Sequence, residues 1–316
     1  MMRNRFRPFA AVIVAACAIA LCGCQSPLSR TSVAEARQTA ASSTTAQVSS
    51  PTIVTAGTLT VGLKTASATA PLEVVDSSGN VSGIDVDLAS AIADELGLKV
   101  SFVSVTDVKS AFTKGCDIVM DVETGESNDT KVIGRYTESA VALFHKDATG
   151  VVDASSLSGK TVGLQKGSTS QKALSRTSLV MTQKEYDNLN AAFDALNAGT
   201  VDYVLCDAYA GAYLASAYSG VTMAGTIDVP TSAGIGISST NSDLQTKVQN
   251  ALDKLTQNGV TDIIRSRWVG SMDSLTSTSQ VTGITNTATA ISTTTDTTTT
   301  ATDGTSAGAN AVTSTN

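Results

Sequence analysis

Between Gly57 and Gly270 the chain alternates short apolar runs with stretches of helical periodicity, and this alternation constrains the fold more than any other feature. A strand Leu59–Leu63 is followed by Gly83-Ile84-Asp85, where Asp85 reads as an N-cap. The helix beyond sets Leu88, Ala89, Ile92, Ala93 and Leu96 on one face and ends at Gly97. Next come strand Val100–Val105, helix Val108–Thr113, strand Asp117–Val122 and strand Val141–Phe144. The pattern restarts with strands Val162–Leu164 and Leu179–Thr182, helix Leu189–Asn197 closed by Gly199, strand Val201–Cys206 and a helix from Tyr209. A strand Ala233–Ile237, a helix with Leu244, Val248, Leu252 and Leu255 on one stripe, and a short helix ending at Trp268 complete it. Strands alternating with helices predict an α/β fold with two sheets of mainly parallel strands, covered on both faces. Ligands of such sheets bind outside the carboxyl ends of the strands.

The ends of the chain have another character. Arg3, Arg5 and Arg7 precede an apolar run from Phe9 to Leu21, which then meets Cys22-Gly23-Cys24. The run is shorter than the roughly 20 residues a membrane-spanning helix needs, so residues 1–23 read as a secretory signal. Leu21 to Cys24 resembles a bacterial lipobox, which implies cleavage before Cys24, lipidation of its thiol and a membrane anchor on the extracytoplasmic face. Residues 24–56, rich in Ser, Thr, Ala and Gln, read as a flexible tether. Residues 271–316 read as a disordered Ser/Thr-rich tail, because so little apolar surface cannot offset the entropy of ordering. A solvated tail and a glycosylated or wall-associated stalk both fit that composition.

Without residues 1–23 the chain keeps 18 basic against 28 acidic side chains, a formal charge of −10. An acidic chain with one histidine and no basic stripe is not built for nucleic acid. Only Cys116 and Cys206 remain beyond Cys24, and each falls at an expected strand, so two buried thiols are expected rather than a disulfide. The single histidine, His145, falls at the expected hinge, so no Ser/His/Asp set is expected around it, and no His/Cys spacing suggests a metal or other cofactor. The acids Asp121, Glu123, Glu126 and Asp129 leave paired-carboxylate catalysis as the rival class, but binding without turnover is the expectation.

The stretch Lys160–Leu174 reads as a buried strand, a turn at Lys166-Gly167 and a helix opened by Ser168 and Thr169. Unpartnered N–H groups at such a helix start offer a resting place for a carboxylate, although most such starts merely cap their helix.

Several runs in one order then carry a family resemblance. Gly83-Ile84-Asp85-Val86-Asp87-Leu88-Ala89, Val162 to Thr169, Ala195-Leu196 to Gly199 followed by Val201-Asp202-Tyr203-Val204, and Asp262 to Trp268 resemble extracellular solute-binding protein family 3, the polar amino acid-binding proteins of bacterial ABC importers. The resemblance implies a two-lobed clamp of the type II periplasmic binding kind. The first lobe would comprise residues 57–146 and 233–270 and the second 147–232, with a hinge at 145–148 and 229–233. It implies a monomer that takes an amino acid or related small amine and delivers it to an ABC permease.

By the same resemblance Asp207 stands where the family's aspartate holds an α-ammonium, and Gly167, Ser168 and Thr169 where its helix start holds the α-carboxylate. Thr124 is kept. The first lobe departs from the pattern: the family's arginine falls on Asp129, and Thr69-Ala70-Pro71-Leu72 replaces its aromatic run, leaving Leu72 at the stacking place. With Glu123 and Asp129 there, a cationic ligand is expected in preference to glutamate or aspartate. Lys131 and Arg135 are candidate substitutes for the arginine. A chain of this fold that has lost its small ligand and works as a surface interaction protein is the alternative those departures suggest.

Overall fold

The computed structural model describes residues 45–65 and 70–285. The signal segment, Cys24 and residues 286–316 lie outside the described residues. In chain order the elements are β1 (Thr58–Leu63), β2 (Val74–Val75), β3 (Val81–Ser82), α1 (Ile84–Glu95), β4 (Lys99–Ser104), α2 (Val108–Thr113), β5 (Ile118–Glu123) and β6 (Thr130–Ser139). They continue with β7 (Val141–Lys146), β8 (Thr161–Gln165), α3 (Thr169–Leu174), β9 (Thr182–Tyr186), α4 (Leu189–Asn197), β10 (Tyr203–Asp207) and α5 (Ala208–Ala215). Last come β11 (Val221–Thr226), β12 (Thr231–Ser238), α6 (Ser242–Gln257) and α7 (Val260–Val269). No helix of the described residues is long and apolar enough to cross a membrane.

The chain divides into two compact α/β units. Of the described residues, the first holds 45–65, Asp85–Gly134 and Ile235–Val260. Its sheet has the order β4-β1-β5-β12-β6, with β1 parallel to both β4 and β5. Helix α1 lays Leu88, Ala89, Ile92, Ala93 and Leu96 into the core, each at most 2% exposed. Burying a Leu or Ile contributes roughly 1.5 to 3 kcal/mol, so this one face carries much of the unit's stability. Asp85 is not the N-cap expected from the sequence: the helix already begins at Ile84, and Asp85 lies fully buried in its first turn, where the dipole favours a carboxylate.

Residues 45–56 are not a tether. Val48 and Ile53 are buried, the Gln47 N–H donates to the Leu96 carbonyl at 2.9 Å, and the buried Asp117 accepts from the N–H groups of Val54 (2.8 Å) and Thr60 (2.7 Å). Two apolar residues in a polar stretch suffice to anchor it, which composition alone hides.

Of the described residues, the second unit holds 70–84, Arg135–Gly234 and 261–285. Its sheet runs β11-β7-β10-β8-β9; β8 is parallel to β10 and β9, while β7 is antiparallel to β10 and β11. Helix α5 packs so closely on this sheet that a Cβ on Gly211 would lie 2.1 Å from the Phe144 ring and 2.7 Å from Cys206 Sγ. Cys116 and Cys206 are buried, unpaired thiols in different units.

Four boundaries differ from the sequence expectation. Residues 70–84, Leu72 among them, are expected in the first lobe but belong to the second unit. Residues 135–146 belong to the second unit, because β7 is hydrogen-bonded between β11 and β10; the chain changes unit inside β6 after Gly134 and inside β12 after Gly234. His145 is therefore no hinge residue: it is 5% exposed within β7 and stacks on Tyr203 with ring centroids 6.0 Å apart. Residues 261–270 also join the second unit. Finally, 271–285 is packed rather than a disordered tail: Leu275 and Val281 are buried, and Val281 and Thr282 donate their N–H groups to the carbonyls of Thr226 (2.9 Å) and Val152 (3.1 Å). Strands β6 and β11 have no counterpart in the sequence reading, and β9 starts at Thr182, where the expected strand ended.

Candidate functional site

Strands β8 and β10 are parallel neighbours, pairing Leu164 with Leu205, so their carboxyl ends lie side by side at one edge of the second unit. Both expected site segments are there. Asp207 ends β10 and caps α5, its carboxylate accepting from the Ala210 N–H at 2.9 Å. This cap uses one of the several acceptor positions of the carboxylate. Asp202, at the opposite end of the same strand, has a purely structural task. It accepts from the Thr161 N–H and hydroxyl, both at 2.7 Å, which ties β8 to β10 and holds its carboxyl below the usual range.

The helix start at Gly167–Thr169 forms as the sequence suggests but is partly used up. Ser168 caps α3, accepting from the Gln171 N–H at 3.1 Å. Gln171 reaches back so that its Oε1 accepts the Gly167 N–H at 2.9 Å, while its amide nitrogen donates to Glu185 at 2.7 Å. The Gly167 amide is thus engaged from within the chain. The donors that an α-helix leaves unused at this end are those of Thr169 and Ser170. Because α3 has only six residues, its dipole adds little.

Leu72 belongs to the second unit and packs against the apolar cluster containing Phe144, Phe193 and Tyr209. Its carbonyl lies where a Cβ on Gly83 would sit, 2.1 Å away, so only glycine is accommodated at Gly83, whose φ is +139°.

The first unit carries the remaining candidates. Glu123 ends β5 and Thr124 follows it, both exposed; Asp129 is exposed just before β6, its carbonyl accepting from the Ser239 N–H at 2.9 Å. Sequence reasoning missed Lys64 here. It directly follows β1, at the carboxyl end of a strand parallel to β5, with a side chain only 17% exposed and an ion pair to Glu126 at 3.3 Å. Glu126 also accepts the Glu123 N–H at 3.2 Å. A basic residue immediately after a parallel strand was the available signal. Lys131 and Arg135, the expected substitutes, are both exposed on β6, Arg135 in the part of that strand that belongs to the second unit. Among the described residues no group of three or more His, Cys, Asp or Glu is arranged to hold a metal ion.

Residues 59–271 match the bacterial extracellular solute-binding proteins, family 3. The chain is 26% identical over 213 residues to ABC transporter arginine-binding protein 1 of Escherichia coli K12, covering 63% of this chain and 86% of that protein. It is 27% identical over 212 residues to the arginine-binding periplasmic protein of Mannheimia haemolytica, covering 63% and 87%. Among solved structures, an ancestral cationic amino acid solute-binding protein superposes with a TM-score of 0.56 at 26% identity, over 67% of this chain and 96% of that one. A polar amino acid transporter substrate-binding protein from Streptococcus thermophilus, with a TM-score of 0.59 at 20% identity over 70% and 89%, shares the fold, which is the type II periplasmic binding fold. The chain belongs to the bacterial extracellular solute-binding proteins, family 3.

Proposed function

We propose that this protein is the lipid-anchored, extracytoplasmic binding component of an ABC importer and that it captures a cationic amino acid or related small amine. The observation that carries the ligand class is Asp207, a carboxylate at the carboxyl end of a central parallel strand, beside the Ser168 helix start on the neighbouring strand. A carboxylate so placed pairs with an ammonium, and a charge-assisted hydrogen bond in a partly desolvated site is among the stronger contacts a protein can offer. The exposed acids Glu123 and Asp129 of the first unit fit a cationic ligand better than an anionic one. The relatives named for arginine support the same class.

Calorimetry on the purified protein tests this. L-Arginine should bind more tightly than L-glutamate, and Asp207→Ala should weaken arginine binding by more than tenfold, since losing one partner of a desolvated charge pair costs about 2 to 5 kcal/mol. Asp129→Arg should shift preference toward neutral or acidic amino acids. Unchanged affinity in Asp207→Ala, or a preferred ligand without an amine, would overturn the assignment.

A further inference from the structure

The second unit contains a cavity of about 560 Å³, within the 300 to 1,000 Å³ typical of small-molecule sites, and every residue lining it lies in that unit. It is separate from the strand ends that carry Asp207 and Ser168, neither of which lines it. Its floor is buried and apolar: Phe144 from β7, Ala212 and Ala215 from α5, Val221 from β11 and Val269 from α7. Residues 271–274, 276, 278 and 279 form another wall, at the start of the packed segment that the sequence reads as a tail. The alanines leave the space open where α5 would otherwise fill it. Met223 and Met272 both line the cavity, and flexible thioethers adapt to a ring or chain placed against them.

The rim is polar and its charge is one-sided. Exposed hydroxyls come from Thr149, Ser271, Ser274 and Thr276, and the lining contains one ionisable acid, exposed Asp273, and no Lys, Arg or His. Nothing in the lining can neutralise a carboxylate or phosphate, whereas Asp273 with its hydroxyl neighbours can receive an ammonium. We propose that this cavity is a second small-molecule site, for an amine with an apolar or aromatic body and no carboxylate. This separates its ligand from a zwitterionic amino acid, whose carboxylate would meet Asp273 without a compensating cation.

Trp268, the only tryptophan of the chain, directly precedes Val269 of the floor and supplies a fluorescence signal. Phenethylamine and phenylalanine, which differ by the carboxylate alone, are the probes. Phenethylamine should change Trp268 fluorescence saturably, and phenylalanine should compete roughly fivefold less well or worse, as should phenethylamine itself on Asp273→Asn, the scale of one rim charge. Ala215→Leu, which fills the space, should abolish the response. Asp207→Ala should leave it unchanged, which separates this site from the amino acid site whether or not that assignment holds. Absence of saturation, no effect of Asp273→Asn or of Ala215→Leu, or loss in Asp207→Ala would each overturn the proposal.

Discussion

The Tyr209 phenol donates a 2.7 Å hydrogen bond to the Glu138 carboxylate, joining the second residue of α5 to the end of β6. One residue earlier, the Ala208 N–H donates to the Ala140 carbonyl at 2.9 Å. The helix turn that Asp207 caps is therefore fastened at two successive residues. Burial pushes the Tyr209 phenol up to about 12, with the Glu138 charge adding to the shift, so Tyr209 stays a donor across the physiological range. Arg265 of α7 counters the shift and donates to the Met272 carbonyl, so the network reaches the C-terminal segment.

Replacing Tyr209 by Phe leaves the Glu138 oxygen without its phenolic donor, at a cost of about 1 to 3 kcal/mol. Denaturant unfolding should show that loss, and arginine binding should weaken with it because the cap of α5 loosens. Full stability in Tyr209→Phe would mean that water replaces the phenol without loss.

The packed segment after Gly270 predicts a second outcome. A chain cut after Gly270 loses the buried Leu275 and Val281 and the hydrogen bonds of Val281 and Thr282 to the rest of the second unit. Leu275→Ala alone should cost about 2 to 3 kcal/mol, and truncation more. A midpoint drop of roughly 4 to 10 °C on thermal melting is expected for Leu275→Ala, and truncation at Thr285 should leave the midpoint unchanged.

His145 makes stability depend on pH. Its Nε2 is buried with no hydrogen-bond partner among the described residues, and burial lowers its affinity for a proton below the ordinary 6.5. Above pH 6.5 folded and unfolded chains both hold a neutral imidazole. As pH falls below 6.5 the unfolded chain takes up a proton that the folded one resists, so stability declines until the folded ring also titrates. The slope is at most about 1.4 kcal/mol per pH unit. Burial raises Asp117 and Asp228, whose effect has the opposite sign and lies nearer the ordinary carboxylate value of 3.8. The difference between wild type and His145→Phe, which keeps the ring against Tyr203, isolates the histidine. Stability curves that run parallel from pH 7.5 to 5 would contradict the assignment.

Leu21 to Cys24 predicts that Cys24→Ser abolishes lipid attachment. Fractionation should find the variant soluble or unprocessed, whereas wild type pellets with membranes. Identical fractionation and gel mobility would show that Cys24 carries no lipid.

Local sequence was enough to place α4 to the residue, α2 approximately, and the stripes of α1 and α6, because periodicity and capping are set by neighbours in the chain. Ser168 and Asp207 were legible for the same reason: a cap is specified within three residues. What lay beyond reach depends on distant partners. Strand β6 passes from one unit to the other after Gly134 and is mostly only half-buried, β9 is a polar edge strand, and β11 exists through its pairing with β7, so none carries a periodic signal of its own. Val48, Ile53, Leu275 and Val281 are isolated apolar residues in polar stretches, and only docking against a formed sheet gives them a place to be buried. The occupied Gly167 amide and the Lys64–Glu126 pair needed the fold as well, since Gln171 and Glu126 choose their partners by side-chain reach in three dimensions. Composition and local pattern thus determined which segments are regular and which family they resemble. Tertiary packing decided where the units divide, where order ends and which charged groups of the site are already engaged.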